Sequence, residues 1–269
     1  MTGAASGIGQ ALAVELAARG GRVVCSDIDT VGAQRTAEAI QDSGGQALAV
    51  ACDVAELDDV SRLAEESQAW FDGSPTLVVN NAGVGAGGRV VGDFPVDDWR
   101  WTLGVNLWGP IHGCHVFAPI LREAGYGGII NVASAASFGA APRMAAYNVS
   151  KAGVLSLSET LSAELAGTGV AVSVLCPTFV KTNIVASGRI DPRTAGAATA
   201  LMRITGMSPR KVALVCLDAH DRGALYVLPQ LDAKVGWEIK RHLPRTYTKA
   251  VGLVGRYGPL RDRTSIEGG

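Results

Sequence analysis

Excess charge is missing from this sequence: 24 Lys and Arg stand against 25 Asp and Glu, leaving a net charge of −1 over 269 residues. So even a balance gives no basic footprint for a nucleic-acid partner. Long apolar runs are missing as well, so no segment reads as a membrane span, and no signal-peptide pattern is recognised. Aromatics are scarce at 6 %, while Gly and Ala are abundant, which suits helices packed closely on a sheet. Cysteines 25, 52, 114, 176 and 216 are scattered, odd in number and mostly within apolar stretches. That excludes a disulfide framework and offers no metal spacing, so they read as reduced core residues of a cytoplasmic protein. His112 and His115 lie three apart on a helix but lack further ligands; a structural role and no metal are expected. Internal repeats and low-complexity linkers are absent too. One domain with a substantial core is the expectation.

What is present is an alternation of short apolar strands with helices. Strands are expected at 22–27, 46–53, 76–80, 128–133, 171–176 and 224–228, with the longest helices near 96–123 and 143–167. This is the pattern of an α/β fold, a doubly wound parallel sheet with helices on both faces.

Two local features carry chemistry. Tyr147 and Lys151 lie four apart, on one helix face about one turn from each other. A phenol is a poor acid near neutrality, and an ammonium held close favours the phenolate and lowers its pKa. Such a pair can exchange a proton with an alcohol or carbonyl. Thr2-Gly3-Ala4-Ala5-Ser6-Gly7-Ile8-Gly9 opens a second feature, a glycine turn followed by helical periodicity over residues 10–19. Glycines 3, 7 and 9 allow a tight turn whose N–H groups approach a diphosphate, with a helix dipole behind them. Each feature alone is common for bland reasons.

Together they resemble the short-chain dehydrogenase/reductase family over nearly the whole chain. The motifs stand in the family's order: the TGAASGIG loop, Asp53 in Cys-Asp-Val, Asn80-Asn81-Ala82-Gly83, Asn106, Ser134, Tyr147-Asn-Val-Ser-Lys151, and Pro177 with Thr182. The resemblance implies a Rossmann-type, single dinucleotide-binding catalytic domain over 1–269. It implies that Gly3, Ser6, Gly7, Ile8 and Gly9 hold a diphosphate, that Asp53 and Val54 meet the adenine, and that Asn80, Ala82 and Gly83 lie against the cofactor. Pro177, Val180 and Thr182 are implied on the nicotinamide side, although the usual Pro-Gly is Pro177-Thr178 here. Tyr147 is the implied acid/base, Ser134 the partner of the substrate oxygen, and Lys151 the residue that lowers the Tyr147 pKa and holds the nicotinamide ribose. Ser137 is the competing serine; the family's Asn-x-Ser-Ser pattern and the spacing of 13 to Tyr147 select Ser134.

Local physics extends the resemblance at two places. Asp27 ends the strand at 22–27, where a carboxylate accepts bonds from ribose hydroxyls and repels a 2′-phosphate. Ser6 and Ile28 stand where NADP users often carry Arg or Lys, so NAD is expected over NADP. Asn106 lies four residues before Pro110, which has no N–H; its carbonyl loses a helical donor and a kink is expected. The family uses that carbonyl to hold a water that relays protons to the lysine.

The ends of the chain depart from the family. Only Met1 precedes the glycine turn, so the family's central first strand is absent from this sequence and two neighbours should keep unpaired edges. A start placed too late, with the chain unstable or cofactor-poor as a result, is the expectation. Residues 183–207 are expected as a lid over a lipophilic alcohol or ketone. Residues 229–269 form an extension, with a helix over 229–243 and a polar tail from 244 whose end is mobile. A homodimer or homotetramer is expected through the two long helices, which carry Trp99, Trp108, Phe117, Leu155, Leu157 and Leu161. The functional expectation is hydride transfer between NAD(H) and a secondary alcohol or ketone. The rivals are an NAD-dependent dehydratase or epimerase on the same fold, and a non-catalytic cofactor sensor.

Overall fold

The structure, a computed structural model, describes residues 1–257. After helix α1 (Gly7–Ala18), strand β1 (Arg22–Asp27), helix α2 (Thr30–Asp42) and strand β2 (Gln46–Ala51) form the first unit, with β1 and β2 parallel and in register from Arg22 opposite Gln46. Helix α3 (Leu57–Phe71) leads to β3 (Leu77–Asn80) and a short strand β4 (Ala86–Gly87). Then come α4 (Val96–Leu103), α5 (Gly109–Ala124), β5 (Gly127–Val132), α6 (Ala136–Gly139), α7 (Ala145–Glu164) and β6 (Val170–Leu175). The chain ends with β7 (Arg189–Ile190), α8 (Pro192–Thr205), α9 (Pro209–Asp221), β8 (Tyr226–Val227), α10 (Leu231–His242) and α11 (Pro244–Tyr257). Strands β3, β5, β6 and β8 form a parallel four-stranded sheet in that order.

Ile129 and Ile130 on β5 face opposite sides of the sheet, and both are fully buried. One face is covered by Val60 and Leu63 of α3, Phe117 and Leu121 of α5 and Leu161 of α7. The other carries Leu12 of α1 with Val212, Cys216 and Leu217 of α9. Two covered faces explain why the strands read as continuous apolar runs rather than alternations. Truncating one such side chain, Leu121→Ala for instance, is expected to cost roughly 2–5 kcal/mol. Phe117 and Leu161 are therefore core residues and cannot form a subunit contact, which corrects that part of the expected interface; Trp108 remains about half exposed.

The expected strands all appear: 22–27 is unchanged, 46–53 and 76–80 are shortened by two residues and one, 128–133 and 171–176 begin and end one residue earlier, and 224–228 is reduced to Tyr226–Val227. The long helix expected near 96–123 is broken into α4, a π-helical turn over Gly104–Trp108, and α5. Gly109 N–H reaches back to the Gly104 carbonyl, and Pro110, with no N–H, follows at once. The kink is thus a widened turn, a form a chain takes where the i+4 donor is missing. The expected tail from 244 is instead a helix as far as Tyr257. Pro244 starts it, its donor being dispensable there, and Gly255 brings it against Pro142, where a Cβ would lie 2.7 Å from the proline ring. The rest of the expected tail lies outside the described residues.

The sheet is split beside the glycine turn. Between β1 and β3 the chain supplies only Met1 and Thr2. Thr2 bridges in parallel to Ser26 and donates its N–H to the Val79 carbonyl at 3.0 Å, a strand one residue long. Below it lies a cavity of about 350 Å³ lined by Val24, Val54, Leu63, Val78 and Phe117 among others. The Met1 ammonium is buried at its edge, donates to the Val24 carbonyl at 3.1 Å, and has its pKa lowered by that burial.

Candidate active site

The glycine turn leaves Thr2 and enters α1 through Ser6, whose backbone is extended and whose hydroxyl does not cap the helix. Gly3 and Gly7 have φ of +68° and +59°, a region that favours glycine. A Cβ on Gly9 would collide with the Gly3 carbonyl, and one on Gly7 would meet Thr182 Cγ2 at 3.0 Å. The turn therefore needs these glycines to fold on itself and to leave a narrow opening facing residues 177–182. Ile8 is half-buried and packs toward the α1–α9 core.

Asn81, which stood in the sequence motif without a role of its own, sets the position of this turn. Its amide donates to the Thr2 carbonyl at 2.9 Å and the Gly3 carbonyl at 3.1 Å, while Thr2 Oγ1 accepts from the N–H groups of Asn81 and Ala82. Asn80 does something else. Its side chain is buried, donates to Asn131 Oδ1 at 2.8 Å and lies against Cys114, so it pins β3 to β5 and leaves only backbone for a ligand.

Asp27 stands at the carboxyl end of β1, beside the turn. Oδ2 accepts from Ala5 N–H at 2.9 Å and Oδ1 from Asp29 N–H at 3.0 Å. Asp53 folds onto its own turn through Ala55 N–H at 3.0 Å. Val54 packs in the core, and its carbonyl lies 3.0 Å from His112 Nδ1. That contact accounts for His112 structurally.

Lys151 and Tyr147 share α7 as expected; Lys151 is buried and Tyr147 partly so. Lys151 Nζ donates to the Val132 carbonyl at 2.9 Å and lies 5.9 Å from the Tyr147 ring centroid. Burial pushes its pKa down from 10.5 to about 8, against a smaller upward influence of Cys176. For Tyr147 the expected direction is reversed. Burial raises its pKa, and the opposing influence is a hydrogen bond with Ser134, not the ammonium. A lysine engaged by a carbonyl across the ring stabilises the phenolate less than burial penalises it.

Ser134 follows β5. Its Oγ accepts from Ala136 N–H at 3.1 Å and lies 3.4 Å from the Pro177 carbonyl. Ser137, the competing serine, is turned away and donates to the Lys151 carbonyl at 2.8 Å. Asn106, fully buried in the π turn, clamps the loop after β3: Oδ1 accepts from Val84 N–H at 2.7 Å and Nδ2 donates to the Val84 carbonyl at 2.9 Å. Gly83 lets that loop sink between them, since a Cβ there would stand 3.3 Å from Asn106 Oδ1 and 3.4 Å from Lys151 Nζ.

The segment at 177–182 closes the cleft. The Pro177 carbonyl accepts from Ala135 N–H at 2.8 Å, Val180 is buried and bridges to Met207, and Thr182 faces Gly7. The segment at 183–207, expected as a lid, contains β7 and α8, and β7 pairs with β4 through Ala86 opposite Arg189. Arg189 also bonds Asp98 at 2.8 Å and sits 4.3 Å over the Trp101 ring, fastening β7 to α4. Neither β4 nor β7 shows in the sequence, because two-residue strands leave no periodicity. Among the described residues no group of three or more His, Cys, Asp or Glu side chains could hold a metal ion, and no helix is long and apolar enough to cross a membrane.

A glycine cradle at a helix N-terminus, a carboxylate at the end of the next strand and a narrow opening at Gly7 fit a dinucleotide. The comparisons with known proteins agree. Residues 1–192 match the family model for short chain dehydrogenase. "Probable oxidoreductase EphD" of Mycobacterium tuberculosis is 41 % identical over 188 residues, covering 70 % of this chain and 31 % of that protein, so the chain spans about a third of its length. The 1-deoxy-11-beta-hydroxypentalenate dehydrogenase of Streptomyces exfoliatus is 36 % identical, with 87 % of this chain and 83 % of that one covered. Among solved structures, a short chain dehydrogenase/reductase from Burkholderia phymatum in complex with NAD superposes with a TM-score of 0.83 at 33 % identity, covering 90 % of this chain and 91 % of that one. With the match running through the glycine turn, Ser134, Tyr147 and Lys151, this chain belongs to the short-chain dehydrogenase/reductase family and has its Rossmann NAD(P)-binding fold.

Proposed function

We propose that this chain is an oxidoreductase that transfers a hydride between NAD(H) and a secondary alcohol or its ketone, with a lipophilic group on the substrate. The observation that carries this reading is the hydrogen-bonded Ser134–Tyr147 pair with the buried Lys151 behind it, at the sheet end that also holds the glycine turn. When bound, NAD supplies the hydride acceptor and NADH the donor.

The chain's residues move the proton. In oxidation the carbinol C–H leaves with its electron pair as hydride, and the alcohol O–H proton passes to Tyr147 Oη. In reduction Tyr147 returns a proton to the developing alkoxide. Ser134 Oγ bonds the same substrate oxygen and stabilises its charge. Lys151, with a pKa near 8, is poised to carry the proton onward near neutrality, and Asn106 continues the path through its carbonyl. Phe94, Trp99 and Tyr147 pack in one apolar cluster with Ala86, and Gly85, the neighbour of Ala86, lies against Ile184 and Ile190, which supports a lipophilic substrate. Asp27 supports NAD over NADP, since both carboxylate oxygens are fixed by backbone N–H groups at the end of β1.

Absorbance of NADH, followed across secondary alcohols and ketones, tests the whole reading. Net conversion that Tyr147→Phe lowers by at least about a hundredfold is expected. Asp27→Ala should improve NADP use relative to NAD by roughly tenfold, the size of one charge-assisted bond and its repulsion. Cofactor binding without turnover on any substrate would favour a sensor, and unchanged discrimination at Asp27 would remove that residue from cofactor choice.

A further inference from the structure

The extension after β8 reaches back to the cleft through Gln230, the residue before α10. Gln230 is 8 % exposed, unusually buried for an amide side chain at a helix start. Its Oε1 accepts from Thr178 N–H at 3.2 Å, and its Nε2 donates to the Phe179 carbonyl at 3.1 Å. One side chain thus brackets two consecutive residues, as a neighbouring strand would. Asp232 adds to the grip: Oδ1 accepts from Thr178 Oγ1 at 3.2 Å and from Ala233 N–H at 2.9 Å.

The bracketed residues lie between two others of the site. Pro177, just before them, offers its carbonyl to Ala135 N–H and to Ser134 Oγ. On the other flank the Phe179 carbonyl also accepts from Met207 N–H, and Lys181 N–H donates to the Met207 carbonyl. Residues 177–182 are therefore held on the lid side by Met207 and on the other side by Gln230. Thr178 supplies the hydroxyl that glycine at this position would lack.

We propose that Gln230 is a positioning residue, which fixes residues 177–182, and through Pro177 the Ser134 hydroxyl, for the nicotinamide half of the cofactor. This rests on the reading of the cleft as an NAD site given above. Helix α10 then takes part in cofactor binding without touching the cofactor. Loss of both amide bonds loosens the segment on its α10 side, with Met207 and Asp232 still attached, whereas the glycine turn and Asp27, which serve the adenosine and diphosphate end, stay in place.

The test uses the full chain and two probes, NADH and ADP-ribose, which lacks the nicotinamide, with dissociation constants read by titration calorimetry. Gln230→Met keeps the volume and removes both bonds. It should weaken NADH roughly tenfold while leaving ADP-ribose within about twofold. In turnover, KM for NAD should rise and kcat should fall, with KM for the alcohol little changed. Gln230→Glu keeps acceptance from Thr178 and loses donation to Phe179, so roughly a threefold loss for NADH is expected, and it decides the matter if the Met variant does not fold. NADH and ADP-ribose affected alike, or neither affected, would overturn the positioning role. A wild-type chain that binds neither probe would instead sink the reading of the cleft itself.

Discussion

Lys151 shows how far a spacing argument reaches. Tyr147 and Lys151 could be placed one turn apart from the sequence, and they are. Which effect governs their protons could not, because that depends on how much protein closes over them. Burial wins at both: the lysine falls to about 8 and the tyrosine rises. The lysine shift is also a statement about stability. Below about pH 8 the folded and unfolded chains both hold the proton, and the folded one carries the full cost of a buried ammonium. Between about 8 and 10.5 only the folded chain gives the proton up, so this contribution to stability grows as pH rises and is complete above 10.5. A shift of that size corresponds to about 3 kcal/mol. Lys151→Met should abolish the dependence. The difference in unfolding free energy, wild type minus variant, measured in urea, should therefore rise by about 3 kcal/mol from pH 7 to 10.5. A flat difference would mean that the ammonium is better solvated than its surroundings imply. Cysteines and tyrosines that do not interact with Lys151 cancel in this comparison, and Cys176, which does, is the smaller influence.

At the scale of elements, prolines and glycines were legible as punctuation but not as contacts. Pro110 announced a break near Asn106; that the break would be a π turn, with the Asn106 amide clamped to both backbone groups of Val84, depends on the loop that packs there. Gly252 and Gly255 made the segment after 244 look like a tail, yet at Gly255 α11 comes near enough to Pro142 that a Cβ would lie 2.7 Å from its ring. The paired short strands β4 and β7 were invisible for want of length. Asn81 was visible within its motif but carried no role there, and the structure shows that it ties the glycine turn to the loop after β3. The π turn makes a test. Pro110→Ala returns an N–H at the i+4 position from Asn106 and favours a regular α-helical turn there. Tightening the helix rotates residue 106 away from Val84 and turns its carbonyl into the helix. A fall in kcat of roughly tenfold is expected, with the melting temperature within a few degrees of wild type, since a helix gains regularity as a clamp is lost. A fully active variant would show that the carbonyl of Asn106 is not needed on the proton path.

For the molecule as a whole, the decisive feature is the slot between β1 and β3. The α/β architecture, the strands themselves and the two covered faces were legible in the alternation of apolar runs with helices. What could not be foreseen is that Thr2 would act as a strand of one residue, bonded to Ser26 on one side and Val79 on the other, while the space below it stays open. Two consequences are unfavourable. Apolar side chains of both β-units and of α3 and α5 line a cavity of about 350 Å³. An ammonium is also buried at Met1, where a peptide N–H could donate to the same Val24 carbonyl without carrying charge. Adding about eight residues before Met1, rich in Val, Ile and Ala as a strand buried on both faces requires, should relieve both. Apolar burial at ~25 cal/mol per Å² makes a net gain of a few kcal/mol reasonable. For a chain of this size that corresponds to a rise in melting temperature of roughly 5 °C or more. An extension of equal length made of Gly, Ser and Asp removes the terminal charge from the slot but cannot fill it, so it should recover only a small part of the rise. NADH affinity should follow the same order, because Thr2 and Asn81 position the glycine turn from the end of that slot. Equal melting temperatures for the two extensions would mean that the slot does not accept a strand, and that the two halves of the sheet are held by their helices alone.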